Sequence, residues 1–295
     1  MNTHVDCIAC IVNKANNLAN KYIKDKKQKH SFMQKVLIEI ANTEFERTSP
    51  ILDAKIMRIA KAELNIEDIY KEEKQFFNEK MLLMEKQINT LLKDSEDRLF
   101  DALKIALSGN IIDFSALSDL DFEFVENIIS STFKSQFNEE VYKRLRSDLS
   151  KAKELIYLGD NTGEIILDKL FIKEIAAKYP DVKITFVTRG KPIFNDVTEE
   201  DAYYVGIDKY AAVINNGTDL PGTDLLEVSE EFKNLIQSAD LVIAKGQGNY
   251  ESLCGCGLNI YYLFLCKCNM IMEKLNAGKF ANMFINETLT NLKVL

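Results

Sequence analysis

The chain has 295 residues, 46% of them hydrophobic, which is enough to bury a sizeable core, and a formal net charge of −8. No Lys/Arg block of the kind that tracks a phosphate backbone occurs, which argues against a nucleic-acid partner. No run of about eighteen apolar residues occurs, and Met1 to Cys7 forms neither a basic nor an apolar leader, so the expectation is a cytoplasmic protein with no membrane partner.

Gly109 is the only glycine before Gly159, and three of the four prolines (Pro180, Pro192, Pro221) lie in the second half. The front is rich in Ala, Leu, Lys, Glu and Ile, so residues 1–150 read as a helical domain and residues 151–295 as an α/β domain. Thr48-Ser49-Pro50 predicts a helix that begins at Pro50 with Ser49 as its cap. Phe77, Met81, Met84, Ile88 and Leu91 step by four, three, four and three, drawing one apolar stripe that predicts core packing. Ser108-Gly109-Asn110 interrupts the helical pattern ahead of Asp113.

Beyond residue 150 short β-rich runs alternate with helical segments: Leu155–Leu158, Val182–Val187, Ala211–Ile214, Leu241–Ala244 and Ile260–Leu265. That alternation predicts a mostly parallel, Rossmann-like sheet with right-handed crossovers, which delivers every loop after a strand to one edge. The first such loop, Gly159-Asp-Asn-Thr-Gly-Glu164, sets Asp160 and Asn161 at a strand end beside a helix N-terminus. In the second loop Thr198 and Asp201 suit a capping box, which leaves Asp196 free to face the shared edge. Asp160, Asn161 and Asp196 thus offer three oxygen donors suited to magnesium or manganese, although Asx-turns and helix caps are the ordinary use of such pairs. The fourth loop, Lys245-Gly246-Gln247-Gly248-Asn249, lets backbone approach a ligand and brings a point charge suited to phosphate. It is neither a dinucleotide fingerprint nor a Walker A loop.

The six cysteines form three close pairs, Cys7/Cys10, Cys254/Cys256 and Cys266/Cys268, which leaves packed thiols, a metal site or a redox pair open. Both histidines, His4 and His30, are in the front, and neither G-x-S-x-G nor H-E-x-x-H occurs, which argues against a Ser-His-Asp triad or a zinc protease.

Together these residues resemble a known family, the metal-dependent damage-control phosphatases (formerly the domain of unknown function DUF89), in its stand-alone prokaryotic branch. The resemblance runs through Cys7-Ile-Ala-Cys10, Asp68-Ile-Tyr-Lys-Glu-Glu-Lys74 and Ala106-Leu-Ser-Gly-Asn-Ile-Ile-Asp-Phe114. It continues through Gly159 to Glu164, Lys191 to Thr198, Ala244 to Glu251 and Lys267-Cys268. It implies a helical domain packed on a Rossmann-like domain and a divalent cation (Mg, Mn, Co or Ni) held by Asp160, Asn161 and Asp196. It further implies a small phosphorylated metabolite, its phosphate held by Lys245, Gly246, Gly248 and Asn249, with Glu164, Asn110 and Asp113 on the substrate side. Two other readings stay open: an S-adenosylmethionine-dependent carboxyl methyltransferase, disfavoured because the second strand ends in Thr188 and Arg189, and a thiol-based metal or redox sensor built from Cys7, Cys10 and Cys268.

Overall fold

The computed structural model describes residues 1–44, 46–111, 121–134 and 137–289. Among the described residues seven α-helices come first: α1 (Val5–Tyr22), α2 (Lys26–Asn42), α3 (Ser49–Leu64), α4 (Lys71–Thr90), α5 (Arg98–Ser108), α6 (Phe122–Lys134) and α7 (Glu139–Leu149). The chain then alternates: β1 (Glu154–Leu158), α8 (Ile165–Lys178), β2 (Lys183–Thr188), α9 (Glu199–Val205), β3 (Ala212–Asn215), α10 (Glu230–Ser238) and β4 (Leu241–Lys245). It ends with α11 (Gln247–Leu253), β5 (Ile260–Leu265), α12 (Asn269–Leu275) and β6 (Asn282–Asn286).

The sheet order is β3-β2-β1-β4-β5-β6, parallel from β3 to β5, with β6 antiparallel on the edge beside β5. The fold is α/β with a mostly parallel, doubly wound sheet. Because β1 leads to β2 on one side and has β4 on the other, the winding reverses between β1 and β4, and that crevice is where such sheets accept ligands. β6 was not anticipated. Its apolar content is only Met283, Phe284 and Ile285 between two asparagines, and pairing with β5 rather than local propensity makes it a strand.

The α4 stripe buries Phe77, Met81, Met84 and Ile88 as expected, but the next buried residue is Leu92, not Leu91, because α4 stops at Thr90 and the chain turns. Helix α3 starts one residue before the expected position, with Thr48 as N-cap and Pro50 inside the first turn. Gly109–Ile111 forms a short 3₁₀ turn at the predicted break. One apolar core runs from Phe77 and Leu103 through Leu155 and Phe171 to Phe284, so α4, α5 and the sheet bury a common surface across residue 150. The motifs Asp113 and Phe114 lie outside the described residues.

Candidate active site

The loops after β1 and β2 are stitched to each other by backbone. Thr162 N–H donates to the Asn195 carbonyl at 2.9 Å and Val197 N–H to the Asp160 carbonyl at 2.8 Å, leaving Asn161 opposite Asp196 in a bridge. Asp160, Asn161 and Asp196 are thereby gathered at one place. Asn161 Nδ2 donates to Asp160 Oδ2 at 2.8 Å. Behind the carboxylates lies Arg189, 2% exposed, whose Nε donates to Asp196 Oδ2 at 2.7 Å and whose second terminal nitrogen stands 3.7 Å from Asp160 Oδ1. That terminal nitrogen has no hydrogen-bond partner, although its neighbour donates to Asn249 Oδ1 at 3.3 Å.

Burial pushes the Asp160 carboxyl well above its ordinary range, with Glu164 and Asp196 pushing the same way and Arg189 and Lys267 pulling against them. Burial also raises Asp196, against the pull of Arg189. The buried Asp196 and half-buried Asp160 carboxylates beside Glu164, with one guanidinium between them, form a site short of positive charge. The winding crevice brings the loop after β4 against it. Gly246 has φ +80°, and a Cβ there would stand 2.0 Å from Asp160 Oδ2, so only glycine accommodates both that backbone and that carboxylate.

A cavity of about 200 Å³ opens on Asp160 and Asn161, with Asn110, Gly248, Glu251 and Lys267 in its wall. A neighbouring cavity of about 500 Å³ reaches Asp196 and is lined by Tyr22, Tyr70 and Met57 of the helical half. Lys14, Asp53, Phe194 and Lys267 border both. Phe194 holds a left-handed φ of 42°, packs edge-on to Tyr70 at 6.1 Å and lies under the Lys14 ammonium at 5.5 Å. A strained non-glycine residue two positions before Asp196 is of the kind that gathers at functional sites. A third cavity, about 600 Å³, lies between α4 and α9 and touches none of the predicted site residues.

The remaining predicted residues take varied places. Lys245 turns away from both cavities: its Nζ donates to Asp168 Oδ1 at 2.6 Å, to the Ala106 carbonyl at 2.9 Å and to Glu164 Oε1 at 3.4 Å. Glu164 Oε1 also accepts from the Asn161 N–H at 3.4 Å, so the charge of Lys245 reaches the first loop through Glu164. Asn249 is spent internally, donating to the Lys245 carbonyl at 2.7 Å and accepting from Thr223 Oγ1 at 2.8 Å. Asn110 donates to the Leu107 carbonyl at 3.2 Å while lining the small cavity. The predicted capping box is present: Asp201 Oδ2 accepts from Thr198 N at 2.9 Å.

Cys7, Cys10 and Cys268 lie within electrostatic reach of one another, and burial raises the Cys7 and Cys268 thiols. Among the described residues no three His, Cys, Asp or Glu side chains converge as a metal-holding group; two aspartates with an asparagine amide are outside that description. Lys14 and Asp53 were not singled out from sequence, while Arg189, Phe194 and Lys267 were named there without a role in the site. Arg189 carried a usable signal, a cation directly after a strand on the ligand edge.

A family model described as the damage-control phosphatase ARMT1-like domain matches residues 3–283. An uncharacterized protein of Methanocaldococcus jannaschii is 33% identical over 95% of this chain and 94% of its own length. A damage-control phosphatase of Archaeoglobus fulgidus is 31% identical over 73% of this chain and 74% of its own. The crystal structure of a DUF89 family protein from Pyrococcus horikoshii superposes with a TM-score of 0.88 at 27% identity, covering 97% of this chain and 99% of that one. With a family model spanning nearly its whole length, the chain belongs to the damage-control phosphatase ARMT1-like family.

Proposed function

We propose that this chain is a divalent-cation-dependent phosphatase that hydrolyses phosphate monoesters of small metabolites, either sugar phosphates or damaged phospho-metabolites. The observation that carries the reading is the gathering of Asp160, Asn161 and Asp196 on two stitched loops at the wall of paired cavities. Relatives named damage-control phosphatases support the reaction class.

The residues fit a hard cation: two carboxylates and an amide give oxygen donors, and burial with mutual repulsion leaves them short of positive charge. Gly246 adds a cradle that any Cβ would fill. A cation held by Asp160, Asn161 and Asp196 supplies Lewis-acid polarisation of the phosphoryl group. Lys267 and Lys14, which both line the two cavities, offer ammonium groups to the remaining phosphoryl oxygens, Lys14 from its pairing with Asp53 at 2.9 Å. Arg189 holds Asp196 in one orientation through its 2.7 Å bond, and Asp160 is the candidate base for the attacking water. The larger cavity, walled by Tyr22, Tyr70 and Phe194, takes the part of the substrate beyond the phosphate.

The test is a screen of phosphorylated metabolites in the presence of magnesium, manganese, cobalt or nickel, read as phosphate release. Turnover that disappears on chelation, returns with added cation and drops by at least a hundredfold in Asp160→Ala is expected, in line with losses of transition-state stabilisation at such sites. Turnover that survives chelation, or persists undiminished in Asp160→Ala, contradicts the reading.

A further inference from the structure

Asn78 and Lys74 lie one turn apart on α4 and both face inward, 1% and 3% exposed. The Asn78 carboxamide binds the first site loop with one end and, with the other, the first turn of α9, the helix that closes the second site loop. Its Oδ1 accepts from the Gly163 N–H at 2.9 Å, three residues beyond Asp160. Its Nδ2 donates to Asp201 Oδ1 at 3.0 Å, five residues beyond Asp196. A flipped amide would set donor against donor at Gly163 and oxygen against carboxylate at Asp201, so the orientation is unambiguous.

Asp201 is fixed in turn. Its Oδ2 accepts from the Thr198 N–H at 2.9 Å and the Thr198 hydroxyl at 2.7 Å, and it pairs with the Lys74 ammonium at 3.0 Å. Lys74 also pairs with Asp68 at 3.2 Å. The first loop lies directly on α4, since a Cβ on Gly163 would stand 3.2 Å from Phe77 Cβ, and the φ of +80° there excludes a side chain on conformational grounds as well. The backbone pairing between the loops sets their spacing from each other. The Asn78 amide sets both against the helical half that brings Lys14 and Asp53 to the same cavities.

We propose that Asn78 is a positioning residue of the cation site, locking the first donor loop and, through Asp201 at the start of α9, the end of the second onto α4, so that Asp160, Asn161 and Asp196 keep the spacing a small dication demands. The inference rests on the reading of those three residues as cation ligands. Groups that orient ligands from behind typically contribute tenfold to a hundredfold in metal affinity.

Calorimetric titration of the metal-free chain with Mn²⁺ tests it. Asn78→Ala is expected to weaken binding by about tenfold to a hundredfold. Asn78→Asp keeps an acceptor for Gly163 but sets carboxylate against carboxylate at Asp201, and is expected to weaken binding too, so the pair covers the case in which one variant fails to fold. Ile88→Ala, on the same helix and in the core, loosens α4 without touching either loop and is expected to keep affinity within about twofold of the unsubstituted chain. If both Asn78 variants bind as the unsubstituted chain does, or Ile88→Ala weakens binding as much as they do, the positioning role is overturned while the cation reading stands. If the unsubstituted chain takes up no Mn²⁺, the cation reading falls and this inference falls with it.

Discussion

Asp160, Asp196 and Glu164 crowd one end of the sheet with Arg189 and Lys245 as their buried counter-charges, and each cation is already committed. Gly246 is where this crowding is most exacting. Gly246→Ala would press a methyl into the Asp160 carboxylate from a backbone that disfavours side chains, so Asp160 must move. The expected outcome is a folded chain less stable by about 1–3 kcal/mol, with phosphatase turnover lowered by more than tenfold. Denaturant melts and phosphate release measure both, and turnover equal to the unsubstituted chain would show that the carboxylate does not depend on this cradle.

Asp168 gives a pH signature. Burial lifts its carboxyl to about 6 even though Lys245 pulls it down, and its Oδ2 is buried without a partner. A carboxyl raised on folding favours the native state while protonated, so this contribution is present below about pH 4 and is lost as the pH rises through about 6. The stability difference between the unsubstituted chain and Asp168→Asn, taken from urea melts at a series of pH values, should therefore shift against the unsubstituted chain across that window. A difference that is flat between pH 4 and 7 would contradict it.

Asp160 and Asn161 were legible because short polar residues directly after a predicted strand have a known destination, and Asp196 because the capping box of Thr198 and Asp201 left it over in a loop on the same edge. Lys245 was legible as a residue of that edge but not in its direction. Being the last residue of β4 with Gly246 following, it turns toward α8 rather than into the cavity, where the Asp168 and Glu164 carboxylates take it. Nothing in Lys-Gly-x-Gly distinguishes the two faces.

At the scale of elements, the loops depend on how tightly their helices are packed. Helix α8 follows Asp160 and Asn161 and buries nearly its whole first half, Ile165 to Ile172, so no polar face marks it as a surface helix. Phe171 is fully buried and meets Tyr157 edge-on at 6.4 Å. Phe171→Ala is expected to cost about 3–5 kcal/mol through lost burial and the cavity left behind. A urea-melt loss under about 1 kcal/mol would mean the site collapses freely and that α8 is not a rigid support. Strands β1 to β5 were readable to within a residue at either end: β1, β2, β4 and β5 because largely buried parallel strands are nearly continuous apolar runs, and the half-exposed edge strand β3 because Ala-Val-Ile still forms a short apolar run. β6 was not, because a short edge strand takes its identity from the neighbour it pairs with.

At the scale of the molecule, the site belongs to neither half alone. Lys14, Asp53 and Asn110 come from the helical front, Asp160, Asp196 and Lys267 from the α/β back, and the shared core fixes one against the other. Helical periodicity showed which faces of the front are buried but not which partner buries them, so Lys14 and Asp53 were invisible as wall residues. With a net charge of −8 and with Lys14 and Lys21 already paired with Asp53 and Glu73, an anionic substrate needs the charge of a bound cation, with Lys267 beside it, to enter the cavities. The central claim is that Asp160, Asn161 and Asp196 hold one dication between the two loops. Equilibrium titration of the metal-free chain with Mn²⁺, set beside Asp160→Ala and Asp196→Ala, tests it most directly. One cation per chain, with affinity lost by at least tenfold in each variant, is the expected result; a chain that binds no cation, or variants that bind it undiminished, would contradict the account.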